Sequence, residues 1–266
     1  MRKLERHFVE KVWGVDRLPD VFGYRGDERM GEVWFNPPAE MDSLLVKWLF
    51  ASERLSVQAH PSDAQAQAMG LGTAGKSECW VITKAEPGAT IAVGFQQPQT
   101  VDAVREAALD GSIVDMLDWH EVSTGDAFYI PAGTVHAIGG GVSLIEVQQN
   151  TDITFRLFDY GRPRELHLDQ GLEVADTTPY PRELRKRLGD EGLLVDGPHF
   201  RLEAIDLDDD GCKPTLEGRV ILIPFSGVTQ IEGASLLPGE CAIVDDLKGA
   251  ATEGKGISLI AQPVAR

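Results

Sequence analysis

Thiols and positive charge are both scarce in this chain. Its 266 residues include three cysteines, Cys79, Cys212 and Cys241. They are far apart, odd in number and form no CxxC pair, so neither a disulfide framework nor a thiolate zinc site is expected. Lysine and arginine number 25 against 42 aspartates and glutamates, a formal net charge of −17. That balance argues against a nucleic-acid partner, because phosphate backbones are bound through a basic footprint. The same acidity repels small anions, so a phosphorylated substrate would need cations supplied by its own site. Long apolar runs are missing as well. No window reaches the length that spans a bilayer. The N-terminal MRKLERHFVEKVWG is charged throughout and has no apolar signal-peptide core. A cytoplasmic protein without a membrane partner is the expectation.

What is present suits a turn-rich globular chain: 42% apolar residues, 28 glycines and 15 prolines. Short strand-like runs are separated by Gly, Pro and Asp. They are SLLVKWLF (43–50), RLSVQAH (54–60), ECWVITKA (78–85), TIAVGF (90–95), DAFYIPAG (126–133), VSLIEVQQ (142–149) and DITFRLFDY (152–160). This density predicts a mainly β fold, a sandwich or barrel. Helical patterning is confined to patches. A short helix is expected over 61–70, one over 100–111 capped by Thr100 and stopped by Gly111, and one over 112–119. RELHLDQGLEVA (164–175) and PRELRKRLGDEG (181–192) read as two charged helices of a connector. Strands resume in HFRLEAIDL, RVILIPFSG, CAIVDDL and GISLIAQP. The expected division is a catalytic unit over 1–162 with a short helical insert, a helical connector over 163–194 and a small β unit without a metal site over 195–266. No internal repeat or low-complexity segment is present.

The strongest local signal is GDAFYIPAGTVHAIGGG, 125–141, which fits G-x5-P-x-G-x2-H through Gly125, Pro131, Gly133 and His136. Proline fixes one dihedral of a tight turn and glycine permits a positive one. The spacing resembles the second motif of the cupin superfamily, whose small jelly-roll barrel holds a metal with ligands from two motifs. The first motif would be Gln58 and His60, two apart and so on one face of a strand, with Glu78 following in GKSECW. Two imidazoles, an amide oxygen and a carboxylate suit zinc, and also manganese, iron or cobalt. With no thiolate to close it, such a site keeps a position open for water or substrate. Lys47 stands in the middle of the apolar run LLVKWLF, where a lysine is costly unless paired or functional. Lys76 lies two residues before Glu78, Asp152 and Arg156 share a face if 152–160 is one strand, and Glu146 alternates with apolar Ile145 and Val147. For Glu146 and Asp152 the pattern alone leaves a surface salt bridge equally open.

Taken together, KVWG, GEVWF, LLVKWLFASERLSVQAHPSD, GKSECW, PAGTVHAIGGGVSLIEVQQNTDITFRLFDYGR and RELHLDQGLEVAD resemble the short bacterial form of the type I mannose-6-phosphate isomerases. The resemblance covers most of residues 10–176. The tail from about 195 matches only as a degenerate β unit. It implies a cupin jelly-roll enzyme with one zinc ion per chain that interconverts mannose 6-phosphate and fructose 6-phosphate through an enediol. It places the zinc ligands at Gln58, His60, Glu78 and His136, and active-site roles at Ser56, Lys76 and Arg156. Lys47, Glu146 and Asp152 match charged active-site positions. In this reading Arg156 stabilises developing negative charge, Lys76 moves protons between oxygens, and Lys47 and Ser56 bind phosphate or hydroxyls. Asp152, Glu146 or a zinc-bound hydroxide is the carbon base. The helical domain of long family members is missing, which removes part of the wall around the phosphate and leaves its cation open. Isomerisation of another sugar or of unphosphorylated mannose, a non-catalytic metal-dependent sugar-binding cupin, and a metal-dependent oxygenase are the alternatives. A monomer or homodimer is expected.

Overall fold

Two-residue alternation assigns the layers. In the strand Leu44–Ala51 every residue is buried. Leu44, Val46, Trp48 and Phe50 enter one apolar cluster, Leu49 and Ala51 another, and Lys47 lies on the second face. Glu78–Ala85 does the same: Cys79 and Val81 face the first cluster, whereas Trp80 and Ile82 share the other side with Glu78. In Val142–Gln149 the split is Ile145 and Val147 against Val142, Leu144 and Glu146.

These strands belong to a computed structural model of the chain, which describes residues 1–190, 192–209, 213–247 and 252–264. A seven-stranded antiparallel sheet runs in the order Arg185–Arg187, Asp126–Ile130, Glu78–Ala85, Val142–Gln149, Leu44–Ala51, Met30–Phe35, Arg6–Val15. A five-stranded sheet faces it, ordered Phe155–Phe158, Val57–Ala59, His136–Ile138, Thr90–Phe95, Leu117–Glu121. Trp80, Ile82, Ile91, Val93, Phe128 and Leu144 fill one part of the space between them. The outer face of the five-stranded sheet is covered by the helices Val101–Asp110 and Leu168–Val174. The outer face of the seven-stranded sheet packs on a six-stranded sheet ordered Arg2–Lys3, Ala242–Val244, Val220–Pro224, Ile257–Pro263, Phe200–Asp206, Leu193–Asp196. Three further strands, Ala234–Leu236, Val228–Ile231 and Thr252–Lys255, complete this second β unit. The fold is mainly β, a cupin-like barrel with short helical insertions and a smaller C-terminal β unit.

The local signals act where the chemistry requires. Thr100 Oγ1 accepts the Ala103 N–H at 3.2 Å, and Gly111 ends that helix at φ +88°. Ser62 starts the helix Asp63–Ala68 with a capping box shared with Gln65. Three expectations are corrected. The described residues of PRELRKRLGDEG form no α-helix: after a single 3₁₀ turn, Arg182–Leu184, the strand Arg185–Arg187 pairs with Asp126–Phe128. The buried Asp126 carboxylate accepts from both Arg185 and Arg187, at 3.1 and 3.4 Å, and this tertiary pairing overrides helix propensity. The segment 112–119 is helical only over Ile113–Met116 and continues as the edge strand Leu117–Glu121. Asp152 precedes its strand, which begins at Phe155. Cys79 and Cys241 are free and buried, and Cys212 lies outside the described residues.

Candidate active site

The PAG turn brings the two expected metal motifs together. Thr134 N–H closes the turn on the Pro131 carbonyl at 3.1 Å, with Gly133 at φ +91°. Gly133 N–H donates to the His60 carbonyl at 2.8 Å, tying the turn to the first motif. The strand His136–Ile138 starts immediately afterwards and pairs His136 with Gln58. Each imidazole is oriented from behind. His60 Nδ1 donates to the Ile153 carbonyl and His136 Nδ1 to the Thr134 carbonyl, both at 2.8 Å. A carbonyl can only accept, so both Nδ1 atoms carry the proton and both Nε2 lone pairs turn inward.

Those lone pairs converge on Glu78, whose side chain is 0% exposed. His60 Nε2 lies 3.5 Å from Glu78 Oε2, and His136 Nε2 lies 3.5 Å from Glu78 Oε1. Gln58 Nε2 is 3.2 Å from His136 Nε2, and Ser56 Oγ donates to Gln58 Oε1 at 3.0 Å. A half-turn of that amide exchanges its oxygen and nitrogen while Ser56 remains a partner, since a hydroxyl both donates and accepts. Ligand atoms about 2 Å from a tetrahedral ion stand about 3.3 Å apart, which matches these separations. One further observation fits a cation: Glu78 Oε1 is buried and accepts no hydrogen bond among the described residues. His60, Glu78 and His136 therefore form a buried group able to hold a metal ion.

Electrostatics keep the two imidazoles available as ligands. Burial, with Lys76 beside it, holds the His60 imidazole well below the usual histidine range. Burial lowers His136 to about 4. Burial and the neighbouring Glu146 charge push Glu78 up to about 7, against the pull of Lys76. Lys76 touches the Glu78 carboxylate and stands 3.2 Å from His60 Nε2 and 3.9 Å from Glu146 Oε1. Burial works against its charge, but Glu146 and Glu78 outweigh it and raise its pKa above the ordinary lysine value.

The cleft beside this centre joins the two sheets. It is lined by Lys11, Lys47, Lys76, Arg156 and Arg164 among cations, and by Glu32, Glu146 and Asp152 among carboxylates. In a chain of net charge −17, this local excess of cations suits an anionic ligand. Glu146 is fully engaged: Oε1 meets Lys47 at 3.3 Å and Oε2 accepts from Trp80 Nε1 at 3.1 Å. Burial alone would raise this carboxyl, but the Lys76 and Lys47 cations hold it at about 2. Arg156 sits on the strand Phe155–Phe158 in register with Gln58, and Ser56 lines the same wall. Asp152 is exposed, lines the cleft and has no ion pair or hydrogen bond among the described residues. Every residue expected from the sequence is thus in or beside one cleft, except His60, Glu78 and His136, which lie buried behind its wall.

Sequence reasoning missed a second row. Trp34 Nε1 donates to Glu32 Oε2 at 2.6 Å, Lys11 Nζ pairs with Glu32 Oε1 at 3.4 Å, and Lys47 Nζ sits 4.4 Å from the centre of the Trp34 ring. The available signal was Glu32 inside GEVWF, a carboxylate within an otherwise buried strand, as Lys47 is in LLVKWLF.

Known proteins share this arrangement of strands. The chain is 32% identical over 243 residues to the mannose-6-phosphate isomerase of Streptococcus mutans, covering 74% of this chain and 76% of that protein. It is 34% identical over 214 residues to the mannose-6-phosphate isomerase ManA of Bacillus subtilis, covering 65% and 67%. A crystal structure of the mannose 6-phosphate isomerase from Bacillus subtilis superposes with a TM-score of 0.80 at 25% identity, over 98% of this chain and 99% of the other. A phosphomannose isomerase variant from Salmonella typhimurium shares the fold, with a TM-score of 0.73 at 15% identity over the whole of both chains. No family model matches the chain.

Proposed function

Because this chain belongs to the mannose-6-phosphate isomerase family and is an enzyme interconverting mannose 6-phosphate and fructose 6-phosphate, we propose that the reaction runs in the cleft described above, with a zinc ion held by Gln58, His60, Glu78 and His136. The supporting observation is the convergence of two inward Nε2 lone pairs on a buried, half-unpartnered carboxylate just behind the wall of a cation-rich cleft. Zinc, when bound, supplies a Lewis acid that polarises substrate oxygens.

The chain's own residues do the rest. Isomerisation moves a proton between C2 and C1, so it needs a base for carbon and a stabiliser for the enediolate. Asp152 is the carbon base in this reading, because it is the cleft carboxylate without a partner among the described residues. Glu146 is instead a fixed counter-ion: two lysines and the Trp80 indole hold it ionised. Arg156 stabilises negative charge as it develops on the enediolate. Lys76 moves a proton between O1 and O2, Ser56 orients Gln58 and a substrate hydroxyl, and Lys47 orients a hydroxyl while neutralising Glu146. Residues 1–162 carry the catalytic unit, apart from Arg2–Lys3 at the edge of the second unit's sheet; 163–194 connect the two and lend Arg185–Arg187 to the first sheet and the start of Leu193–Asp196 to the second; the described residues of 195–266 make up the second β unit, in a cytoplasmic monomer or homodimer.

Proton NMR of mannose 6-phosphate in D2O tests this. Chelated protein should leave the spectrum unchanged. Restored zinc should produce fructose 6-phosphate, with deuterium entering C2 of recovered mannose 6-phosphate. Tight zinc binding without conversion would discard the substrate, and no zinc binding would discard the ligand set.

A further inference from the structure

The candidate metal centre accounts for the part of the cleft wall around Gln58 and Lys76, and the wall carries a further built cation, Arg164. The strand Phe155–Phe158 pairs Arg156 with Gln58 and Phe158 with Val57. Moving along it from Arg156 therefore leads away from the metal ligands and towards Leu55. Beyond Phe158 the chain reverses in a tight turn, Asp159 to Arg162, closed by Arg162 N–H to the Asp159 carbonyl at 3.0 Å. Both central residues have positive φ, Tyr160 at 54° and Gly161 at 74°. A tyrosine rarely adopts that backbone, so the turn is held by its surroundings rather than chosen locally.

The turn presents Arg164 to the cleft wall. Its Nε donates to Asp159 Oδ2 and its Nη2 to Asp159 Oδ1, both at 2.6 Å. The Asp159 side chain that holds it is 1% exposed and the Arg164 side chain 23% exposed. Arg162, the other partner of Asp159, turns instead to Glu53 at 3.0 Å and to the Arg54 carbonyl at 2.8 Å, and does not line the cleft. A guanidinium gripped along its Nε–Nη2 edge cannot swing. Its remaining nitrogen, Nη1, forms no hydrogen bond among the described residues. The other cleft cations are differently committed: Lys47 and Lys76 face Glu146, and Lys11 faces Glu32. Arg156 stands level with the metal ligand Gln58.

We propose that Arg164, positioned by the buried Asp159, is the anion anchor that binds the phosphate of the sugar phosphate, and so sets which end of the substrate reaches the metal centre. This rests on the isomerase reading for the identity of the sugar, but the anion seat itself rests only on the geometry. Asp159, which holds Arg164, follows Arg156 by three residues, an extended span of about 10 Å, on the order of the length of a six-carbon sugar phosphate. With Arg164, Arg156 and Gln58 lining the same cleft, a phosphate at Arg164 directs the sugar's C1 and C2 toward Gln58 and Arg156. Arginine suits the task because its planar fork matches phosphate oxygens.

The test uses the metal-loaded full chain. Inorganic phosphate is titrated by calorimetry, and KM and kcat are measured with mannose 6-phosphate, for wild type, Arg164→Gln, Arg164→Lys and Asp159→Asn. Losing a charge-assisted hydrogen bond weakens binding about 10- to 100-fold. Arg164→Gln should weaken phosphate by that factor and raise KM in parallel, with metal content unchanged and kcat reduced far less than KM is raised. Arg164→Lys keeps the charge and the pairing with Asp159 but loses the fork, so its defect should be smaller; it carries the test if the glutamine variant does not fold. Asp159→Asn should raise KM in the wild-type background and add nothing to Arg164→Gln. Unchanged phosphate affinity and KM in Arg164→Gln, or a wild type that binds no phosphate, overturns the assignment. A wild type that binds phosphate through Arg164 yet leaves mannose 6-phosphate unaltered keeps the anchor and discards the isomerase reading.

Discussion

The two β units are built from the same kind of antiparallel sheet, yet their interiors differ in chemistry. The second encloses Ile205, Val220, Leu222, Ile231, Leu236, Val244 and Ile260, and its buried hydroxyls, Thr229 and Ser258, satisfy one another. The first encloses Lys47, Lys76, Glu78, Glu146, His60 and His136, all buried. Burying charge costs more than burying hydrocarbon unless each group is paired. The first unit recovers that cost on its outer faces, where Val46, Trp48, Val81, Ile145 and Val147 join Ile221, Ile223, Leu259 and Ala261 of the second unit in one cluster. A barrel whose interior is given over to a site is thus held from outside, and the second unit is part of that support.

Mutations can break this contrast at several strengths. The largest effect is expected at the metal ligands: His136→Ala should lower metal affinity by more than the roughly 10- to 100-fold typical of outer-shell changes, with activity falling alongside. Atomic absorption on the purified variant checks it. Arg156→Ala should depress turnover about 100- to 1000-fold with metal retained. Equal loss of both would make Arg156 structural. Trp48→Ala removes a side chain shared by the two units and should cost about 3–5 kcal/mol of stability, measured by urea unfolding. Because Trp48 faces away from Lys47, kcat of the folded fraction should hold. If kcat falls instead, the second unit shapes the site as well as supporting it. The smallest expected effect is Ser62→Ala, which removes one side of a capping box and should cost about 0.5–2 kcal/mol with little change in KM.

Legibility followed the same contrast. Strands with one polar site residue in an apolar run announced themselves: Glu78–Ala85 and Val142–Gln149 have the bounds that the sequence suggests. The strand Arg6–Val15 did not, because it lies at a sheet edge where exposed His7, Glu10 and Val12 interrupt half-buried residues. Lys11 was lost with it. Arg164 was hidden for another reason. RELHLDQGLEVA has a helical pattern throughout, but the helix begins at Leu168, since His167 N–H donates to the Arg156 carbonyl and Arg156 N–H to His167 Nδ1, which hold the preceding residues in a loop. Propensity describes what a segment prefers alone, and here the pairing partners lie far away in sequence.

The strand Arg2–Lys3, hydrogen-bonded to Ala242–Val244, ties the completion of one sheet edge to the order in which the chain is made. Residues 2 and 3 are made long before residues 242 and 243, so they remain without these sheet partners until the strand Ala242–Val244 has emerged. The edge of the second unit is therefore completed by residues that have waited since early in synthesis, through a non-local pairing of the kind whose loop-closure cost slows folding.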